Sequence, residues 1–358
     1  MSLIKDAKVA VITGTTSNLG INIAYRLLEQ LPPHENITLI VTSRTLPKVK
    51  EVITTIKQYA DTKLPERRTG DLEFDYLLVD FTNMISVLTA YYDLNKKYNH
   101  IDYFFVNAAQ GVYSGLDWIG ATKQILTNPL DGVTNPTYKI QEVGKKSKDG
   151  LGLVFQANVF GPYYLIHKIK HLLSGGGRVI WISSIMSAPK YLSFNDLQLI
   201  KSPESYEGSK RLIDLMHIGT YKSLKSNHDI VQYLVHPGIF TSFSFFQYLN
   251  VFTYYGMLFL FYVARWLGSP YHNISGYIAA NAPVKAALSG DKKKKKDKYS
   301  GLDQDVKIGS ISDKRGKESL EFKEIDGTGN EDVVAYLEDL CQAWDEKLKN
   351  QIVNTRQP

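Results

Sequence analysis

The chain has 358 residues, a formal net charge of +6 and a single cysteine. Its 44% hydrophobic content is enough for a sizeable core, which excludes global disorder and fits one large domain or two ordinary ones. Cys341 alone excludes an internal disulfide and a thiolate zinc site, and the basic residues form no stripe of the kind that binds nucleic acid.

The first residues, Met1–Lys8, carry two lysines and an aspartate and then enter an apolar run. This pattern predicts no secretory signal peptide. With one cysteine, the chain is expected to work in a reducing compartment.

Through the first 240 residues, short β-branched runs alternate with amphipathic stretches. The alternation predicts right-handed βαβ units and an α/β fold, a doubly wound parallel sheet of the Rossmann type. Strands are predicted at 8–12, 36–42, 75–79, 103–106, 178–182 and 230–235, with a first helix at 21–31.

Breaks in this rhythm suggest one large domain with insertions and a C-terminal extension. Long connections of this kind are usually lids or binding loops. The expected parts are a main domain at 1–245 with insertions at 110–150 and 185–205, an aromatic segment at 239–282, a polar, Lys-rich, flexible segment at 283–332, and a C-terminal helix at 333–358.

The last helix carries an apolar stripe at helical spacing, which predicts that it docks on the body of the protein. The stripe consists of Val333, Leu337, Leu340, Trp344 and Leu348.

A glycine-containing turn, residues 13–20, separates the first strand from the first helix. Its amides and the helix N-terminus suit a pyrophosphate, although an ordinary strand-to-helix turn explains the same residues. The candidate contacts are Gly14, Thr16, Asn18, Leu19 and Gly20.

The end of the second strand reads Thr42-Ser43-Arg44 and holds no acid. Enzymes that use NAD place a carboxylate there for the ribose 2′-hydroxyl, whereas a guanidinium suits a 2′-phosphate. This favours NADPH, with Arg44 and, one turn on, Lys48 as candidate ligands. An exposed arginine in a loop is the alternative interpretation.

Tyr206 and Lys210 are four residues apart on a predicted helix and therefore share one face. An ammonium beside the phenol is expected to lower the phenol pKa, which makes Tyr206 a usable general acid. Ser184, at the end of the fifth strand, is placed to hydrogen-bond a substrate carbonyl.

Over about residues 6–245 the chain resembles the short-chain dehydrogenase/reductases. The resemblance rests on motifs in the family's order: the Gly-rich turn, Asn107-Ala108-Ala109, Asn158, Ser184, Tyr206-x-x-x-Lys210 and Pro237-Gly238. It implies a catalytic set of Ser184, Tyr206, Lys210 and Asn158, with Asn158 holding a proton-relay water. Besides the first turn, Arg44 and Lys48, it implies cofactor contacts from Asp80, Asn107, Tyr206, Lys210, Pro237, Gly238 and Thr241.

Two features depart from the family pattern. Asn18 replaces the central glycine of the first turn, and we expect the turn to survive because Asn tolerates left-handed backbone. The separation between Ser184 and Tyr206 is several residues longer than usual.

Within the family, four blocks are similar to a fungal subgroup, the 3-keto-sterol reductases of ergosterol biosynthesis. The blocks are 157–164, 181–191, 205–210 and 344–349. The similarity implies NADPH-dependent reduction of the C3 ketone left after sterol C4 decarboxylation, giving a 3β-hydroxysterol. It also implies work beside the other C4-demethylation enzymes on the cytosolic face of the endoplasmic reticulum membrane and on lipid droplets.

Between Phe240 and Tyr262 there are eleven aromatic residues. The apolar stretch 251–264 is too short to span a bilayer, so we expect an interfacial helix or hairpin that dips into lipid. A buried helix that covers the substrate pocket is the alternative. The aromatic face consists of Tyr248, Phe252, Tyr255, Phe259 and Tyr262.

Other polar groups carry weaker signals. Lys292–Lys296 suits anionic headgroups, but a solvated, disordered loop is the preferred interpretation. His167 and His171 are spaced for a metal, but no third ligand is apparent and we predict no metal site. His236 is expected to be structural.

Two alternatives to a sterol ketone reductase stay open. The same catalytic residues would serve a reductase of another lipophilic carbonyl, such as a steroid, retinal or fatty-acyl ketone. A scaffold for membrane enzymes, built on a nucleotide-binding fold, is the other, and the intact Ser184, Tyr206 and Lys210 argue against it as the sole role.

Overall fold

The structure, a computed structural model, describes residues 7–67, 72–241, 250–290 and 301–351. An eight-stranded sheet forms its centre, and all neighbouring strands are parallel except for one antiparallel pair at one edge. In spatial order the strands are β12 (Glu318–Glu324), β11 (Val306–Ser312), β8 (Val231–His236), β7 (Arg178–Ile182), β4 (Tyr103–Val106), β1 (Lys8–Ile12), β2 (Ile37–Ser43) and β3 (Leu72–Leu78). This architecture confirms the predicted doubly wound α/β class.

Helices cover both faces of the sheet, as right-handed crossovers require. One face carries α1 (Asn18–Gln30), α2 (Leu46–Lys63), α11 (Gly276–Ala279) and α12 (Asn281–Leu288). The other carries α3 (Met84–Lys97), α6 (Leu153–Phe155), α7 (Gly161–Lys168), α8 (Lys170–Leu173), α9 (Ser205–His228) and α13 (Asn330–Leu348). Each layer encloses its own apolar core against the sheet.

The helix α13 begins at Asn330 and packs against α9. Four residues of the predicted stripe are buried, together with Cys341, and Leu340 packs partly buried against the same core. The four buried residues are Val333, Leu337, Trp344 and Leu348. The end of the chain is therefore joined to the main core.

The first insertion is more ordered than the long loop we expected at 110–150. It folds into an antiparallel pair of strands that flank two helices. These are β5 (Tyr113–Leu116), α4 (Trp118–Thr127), α5 (Pro129–Thr134) and β6 (Lys139–Gln141). The second insertion, 185–205, is a connection with one short 3-10 turn, Pro189–Tyr191.

The aromatic segment contains β9 (Ile239–Phe240), α10 (Val251–Trp266) and β10 (His272–Ile274). A small apolar cluster of Val133, Phe261, Ala264 and Ile274 joins α10 to α5 and β10. Tyr248 lies outside the described residues. No helix in the described part of the chain is long and apolar enough to cross a membrane.

The prediction of a flexible segment over 283–332 is wrong for much of its length. The strands β11 and β12 lie within it, and β11 pairs in parallel with β8. The predicted domain boundary at 245 therefore cuts through the central sheet. Lys292–Lys296 lies outside the described residues. Polar and charged side chains on the outward face of the hairpin hid these strands, because half of an edge strand faces water.

Candidate active site

A cleft of about 1500 Å³ opens at the carboxyl ends of the parallel strands. It lies where the strand order reverses between β1 and β4, which is the usual ligand site of such sheets. The predicted residues that line it are Gly14, Thr16, Asn18, Leu19, Arg44, Lys48, Asp80, Asn107, Ser184, Tyr206, Lys210, Pro237 and Gly238. Gly20, Asn158 and Thr241 are not among its lining residues.

The first turn is held by side chains that satisfy its backbone. Gly14 has a φ of +63°, and a Cβ there would lie 3.0 Å from the Cα of Ala108. Ser17 caps α1 by accepting a hydrogen bond from the Gly20 amide at 3.0 Å. Asn107 donates to the carbonyls of Thr13 (2.9 Å) and Gly14 (3.1 Å). The turn is thus fixed with the N-terminus of α1 at the cleft, where its free amides suit an anion.

Ser17 lines the cleft and was missed from the sequence-based set. The signal was present, since a serine just before a helix is a preferred N-cap. Gly20 acts through packing, because a Cβ there would lie 2.4 Å from the carbonyl oxygen of Gly14.

Asn18 does not adopt the left-handed backbone that we expected at this position. It is the first residue of α1, and the described non-Gly residues with positive φ are Leu199, Asp229 and Ile274. Its Nδ2 donates to the carbonyl of Thr241 at 2.7 Å, and its Oδ1 accepts from Asn22 at 3.0 Å. Asn18 therefore joins the first turn to the chain after β9, and Thr241 serves as its partner.

Two cations stand at the end of β2. Arg44 and Lys48 are exposed, line the cleft and form no ion pair within the described residues. Across from them, Asp80 accepts hydrogen bonds from the amide and hydroxyl of Thr82, at 3.0 and 2.7 Å. This end of the cleft is therefore positive and open to solvent.

Lys210 lies buried beneath the centre of the cleft. Its Nζ donates to the carbonyl of Ile182 at 2.8 Å and lies 5.5 Å from the centroid of the Tyr206 ring. Burial lowers the pKa of Lys210 to about 8, although the carboxylate of Asp214 opposes the shift. The ammonium is thus mostly charged at neutral pH.

The expected lowering of the Tyr206 pKa is wrong for this structure. Burial raises the pKa of the phenol, and the neighbouring carboxylate of Glu207 raises it further. The Lys210 ammonium is bound to Ile182 instead of to the phenol oxygen. Tyr206 is consequently protonated across the physiological pH range, which is the form that an acid catalyst needs.

Ser184 lies at the end of β7, on the first turn of the chain after the strand. Its Oγ accepts a hydrogen bond from the amide of Met186 at 3.0 Å, and it lines the same cleft as Tyr206. The hydroxyl hydrogen is thereby left to donate into the cleft.

Asn158 lies behind the cleft and uses both ends of its amide. Its Oδ1 accepts from the amide of Gln110 at 2.7 Å, and its Nδ2 donates to the Gln110 carbonyl (2.9 Å) and to Ser209 Oγ (3.0 Å). It belongs to a π-helical turn, Gln156–Phe160, of a kind that occurs often at functional sites. Asn158 therefore fixes the start of the first insertion against α9.

Pro237 and Gly238 follow the end of β8 and line the cleft there. Gly238 has a φ of +68°, and a Cβ there would lie 2.6 Å from the Tyr271 carbonyl oxygen. His236 is buried, burial lowers its pKa, and its Nε2 lies 3.6 Å from Glu321 Oε2 on β12. His236 thus packs between strands below the site.

His167 and His171 have different partners and do not form a shared metal site. His171 pairs with Asn95 at 2.7 Å, and His167 Nδ1 lies 3.9 Å from Glu338. Among the described residues, no group of three or more His, Cys, Asp or Glu is placed to hold a metal ion.

Gln141, in the first insertion, is a site residue that the sequence did not indicate. Its Oε1 accepts from the Tyr206 amide (2.9 Å) and from Ser205 Oγ (3.1 Å). Its Nε2 donates to the buried Glu207 at 2.6 Å. The insertion thereby caps the helix that carries Tyr206.

The outer cleft has apolar walls. One wall comes from α4 and α5 and the other from one face of α10. The wall residues include Ala121, Ile125, Val133, Met257, Leu260 and Phe261. The cleft therefore places a polar catalytic group at the inner end of an apolar passage.

We predict that Gln141→Ala lowers the free energy of unfolding by about 1–3 kcal/mol, because it removes a helix cap and leaves the buried Glu207 without its donor. Denaturant titration measures the change. The control Lys123→Ala, on the exposed surface of α4, is expected to stay within about 0.5 kcal/mol of the wild type. Equal stability of Gln141→Ala and the control would contradict the capping role.

Proteins of known function match the chain from end to end. A 3-keto-steroid reductase of Debaryomyces hansenii is 71% identical over 359 residues, which is 99% of this chain and 100% of the relative. The 3-keto-steroid reductases of Candida albicans and Saccharomyces cerevisiae are 68% and 59% identical, over 100% and 99% of both chains. No protein-family model matches.

Solved structures share the fold at low sequence identity. YwfH, an NADPH-dependent reductase involved in bacilysin biosynthesis, superposes with a TM-score of 0.56 at 14% identity, over 87% of this chain and 99% of its own. L-sorbose reductase from Gluconobacter frateurii gives 0.51 at 16%, over 78% and 89%. The full-length relatives show that the chain belongs to the fungal 3-keto-steroid reductases, oxidoreductases with the short-chain dehydrogenase/reductase fold.

Proposed function

We propose that the protein reduces the C3 ketone of C4-demethylated sterol intermediates to the 3β-alcohol with NADPH, as a step of ergosterol biosynthesis. The observation that carries the proposal is the placement of Ser184, Tyr206 and Lys210 around the inner end of one cleft with apolar outer walls. A polar end binds the ketone oxygen, and apolar walls take the sterol rings out of water. Relatives of 59–71% identity that are named 3-keto-steroid reductases support the same substrate class.

Ser184 and Tyr206 have separate roles in the protonation of the ketone oxygen. Ser184 donates a hydrogen bond to the ketone oxygen and holds it beside Tyr206. Tyr206, protonated because burial and Glu207 raise the pKa of the phenol, gives its proton to that oxygen as negative charge develops there. When bound, the reduced nicotinamide supplies the hydride that the carbonyl carbon accepts.

Lys210 supports the same step from below. Its charged ammonium, 5.5 Å from the Tyr206 ring centroid, donates to the Ile182 carbonyl and so fixes α9 against the end of β7. It also suits the hydroxyls of the nicotinamide ribose. Asn158 keeps Gln110 and Ser209 in place, so the wall of the cleft next to Tyr206 stays fixed.

The chain has the donors that a nicotinamide dinucleotide requires. The N-terminus of α1 suits the pyrophosphate, and Asp80 and Asn107, which line the same cleft, would hold the adenine and support the cofactor. Arg44 and Lys48 stand where an NAD-specific enzyme keeps a carboxylate, so their charge suits a 2′-phosphate. This arrangement favours NADPH over NADH.

The outward face of α10 supports contact with a lipid surface. Its exposed apolar residues lie at helical spacing, and Phe252 is 88% exposed. They are Phe252, Tyr255, Phe259, Tyr262 and Trp266. Thr253, Gly256, Met257 and Leu260, on the opposite face, line the cleft. A helix with one face on the cleft and the other in lipid would let a sterol enter without crossing water.

We place this work on the cytosolic face of the endoplasmic reticulum membrane and on lipid droplets, beside the other enzymes of sterol C4 demethylation. The support is chemical, since their substrates are sterols dissolved in lipid and the aromatic row of α10 is of the type that lies at a membrane interface.

Tyr206→Phe is expected to lower kcat for a 3-keto sterol by about 10²- to 10⁴-fold, because the variant lacks the acid proton. NADPH consumption with purified protein and the sterol in detergent micelles measures the rate. Cofactor fluorescence measures NADPH binding, which is expected to weaken far less than kcat falls. Tyr191→Phe, outside the cleft lining, is the control and keeps full activity. A wild-type protein that binds NADPH but reduces no 3-keto sterol would overturn the proposed substrate.

Arg44→Ala is expected to weaken NADPH binding about 10- to 100-fold while NADH binding changes less than about twofold, since the lost bonds are to the 2′-phosphate. Titration of both cofactors against wild type measures the two constants. Lys50→Ala, exposed on α2 and outside the cleft lining, is the control. Equal losses for NADPH and NADH would speak against NADPH selectivity through Arg44.

Phe252→Ser/Phe259→Ser is expected to reduce binding to phosphatidylcholine vesicles at least about tenfold, because each ring contributes about 1.5–3 kcal/mol when fully buried in an apolar phase. Flotation of the protein with vesicles measures the bound fraction. Phe194→Ser, which removes an exposed phenylalanine far from α10 in sequence, is the control. If the double variant and the control float equally with the vesicles, α10 is not the lipid contact.

A further inference from the structure

A buried ion pair lies directly below the turn that carries Ser184. It joins Lys307, on β11, to Asp214, on α9, and the two side chains are 9% and 2% exposed. Asp214 follows Lys210 by one helical turn, so the pair is continuous with the catalytic face of α9. Neither residue was in the set predicted from the sequence.

Both members of the pair bind the turn that carries Ser184. Besides Asp214, the Lys307 Nζ donates to the Ser184 carbonyl at 3.2 Å and to Ser187 Oγ at 2.6 Å. Asp214 accepts from Ser183 Oγ at 2.5 Å and from Ser187 Oγ at 2.7 Å. Three residues of one five-residue turn are therefore held by a single pair of charges.

The hydrogen-bonding capacity of the ammonium is fully used. A lysine has three N–H donors, and Asp214, Ser187 and the Ser184 carbonyl accept one each. A rotation of the Ser184 turn would leave one of these donors unpaired inside the protein, which is costly. The contacts therefore allow the turn one arrangement.

Stability alone is a weak explanation for such a pair. Two buried charges lose their hydration, and well-packed apolar residues of the same volume often stabilise a fold as well or better. What a saturated ion pair provides and an apolar pair does not is a fixed direction for the groups bound to it.

We propose that Lys307 and Asp214 are positioning residues that fix the Ser184 hydroxyl for the ketone oxygen, so that β11 of the C-terminal extension is a working part of the active site. The expected effect of these residues on kcat rests on the proposed ketone reduction. Their effect on the Ser184 turn holds for any substrate.

Lys307→Met keeps the length of the side chain and removes its charge and donors. It is expected to lower kcat about 10- to 100-fold, the cost of a displacement of about 1 Å in a reacting group, while NADPH affinity changes less than about twofold. Hydrogen–deuterium exchange of the peptide that contains residues 183–187 is expected to rise. Lys314→Met, an exposed lysine on the same hairpin, is the control and changes none of the three.

A second variant separates positioning from folding. Lys307→Met/Asp214→Asn removes the lone buried carboxylate, so its melting temperature is expected to rise above that of Lys307→Met while kcat stays low. Recovery of wild-type kcat in this double variant would overturn the proposal, because the Lys307 donors would then be dispensable. Ser187→Ala, a change too small to unfold the chain, is expected to lower kcat about two- to tenfold.

The two proposals fail in different ways. Wild-type turnover of the sterol tests the proposed function, whereas the ratio of variant to wild type, on any carbonyl that the protein reduces, tests the positioning role. Exchange at 183–187 needs no substrate. Unchanged exchange in both Lys307 variants would refute the positioning role whatever the substrate is.

Discussion

Parallel strands end at the same edge of a sheet, and the chemistry of this protein depends on that constraint. The ends of β1, β4, β7 and β8 bring the first turn, Asn107, Ser184 and Pro237 to one cleft although they are far apart in sequence. Helix α9 then crosses below this edge and adds Tyr206 and Lys210. The sheet holds these groups in a fixed geometry. A serine hydroxyl and a phenol are therefore sufficient to bind the ketone oxygen and to transfer a proton to it.

The charges beneath the cleft are stable in an apolar surrounding because each has defined partners. Lys210 donates to the Ile182 carbonyl, Glu207 accepts from Gln141, and Lys307 pairs with Asp214. Such a network costs free energy if any member is left alone, so it favours one arrangement of the site. Two of these partners, Gln141 and Lys307, come from segments outside the six strands that the sequence predicted.

The sequence was informative where backbone geometry and local motifs coincide. The alternation of strands and helices predicted the central strands, and the spacing of Tyr206 and Lys210 predicted that they share one helix face. It was uninformative where the partner lies far along the chain. Nothing near Gln141 or Lys307 in sequence predicts that either residue contacts α9. The strands β11 and β12 were not predicted because polar and charged residues interrupt the apolar pattern of this hairpin.

Two corrections have the same physical origin. The Tyr206 pKa was expected to fall because Lys210 is near in sequence, but the structure commits the ammonium to a carbonyl and places Glu207 beside the phenol. Asn18 was judged on its own backbone preference, whereas its role is a side-chain bond to Thr241, 223 residues away. Sequence spacing predicts which residues lie close together. The hydrogen-bond and charge partners that come from distant parts of the chain determine the role of each residue.

A crystal structure of the protein with NADP⁺ and a 3β-hydroxysterol product would show whether Ser184 and Tyr206 act on the C3 oxygen. We expect the C3 hydroxyl to lie within about 3 Å of both Tyr206 Oη and Ser184 Oγ, with the sterol rings between α10 and the helices of the first insertion. A sterol bound with its C3 hydroxyl away from these two groups, or outside the apolar walls, would contradict this expectation.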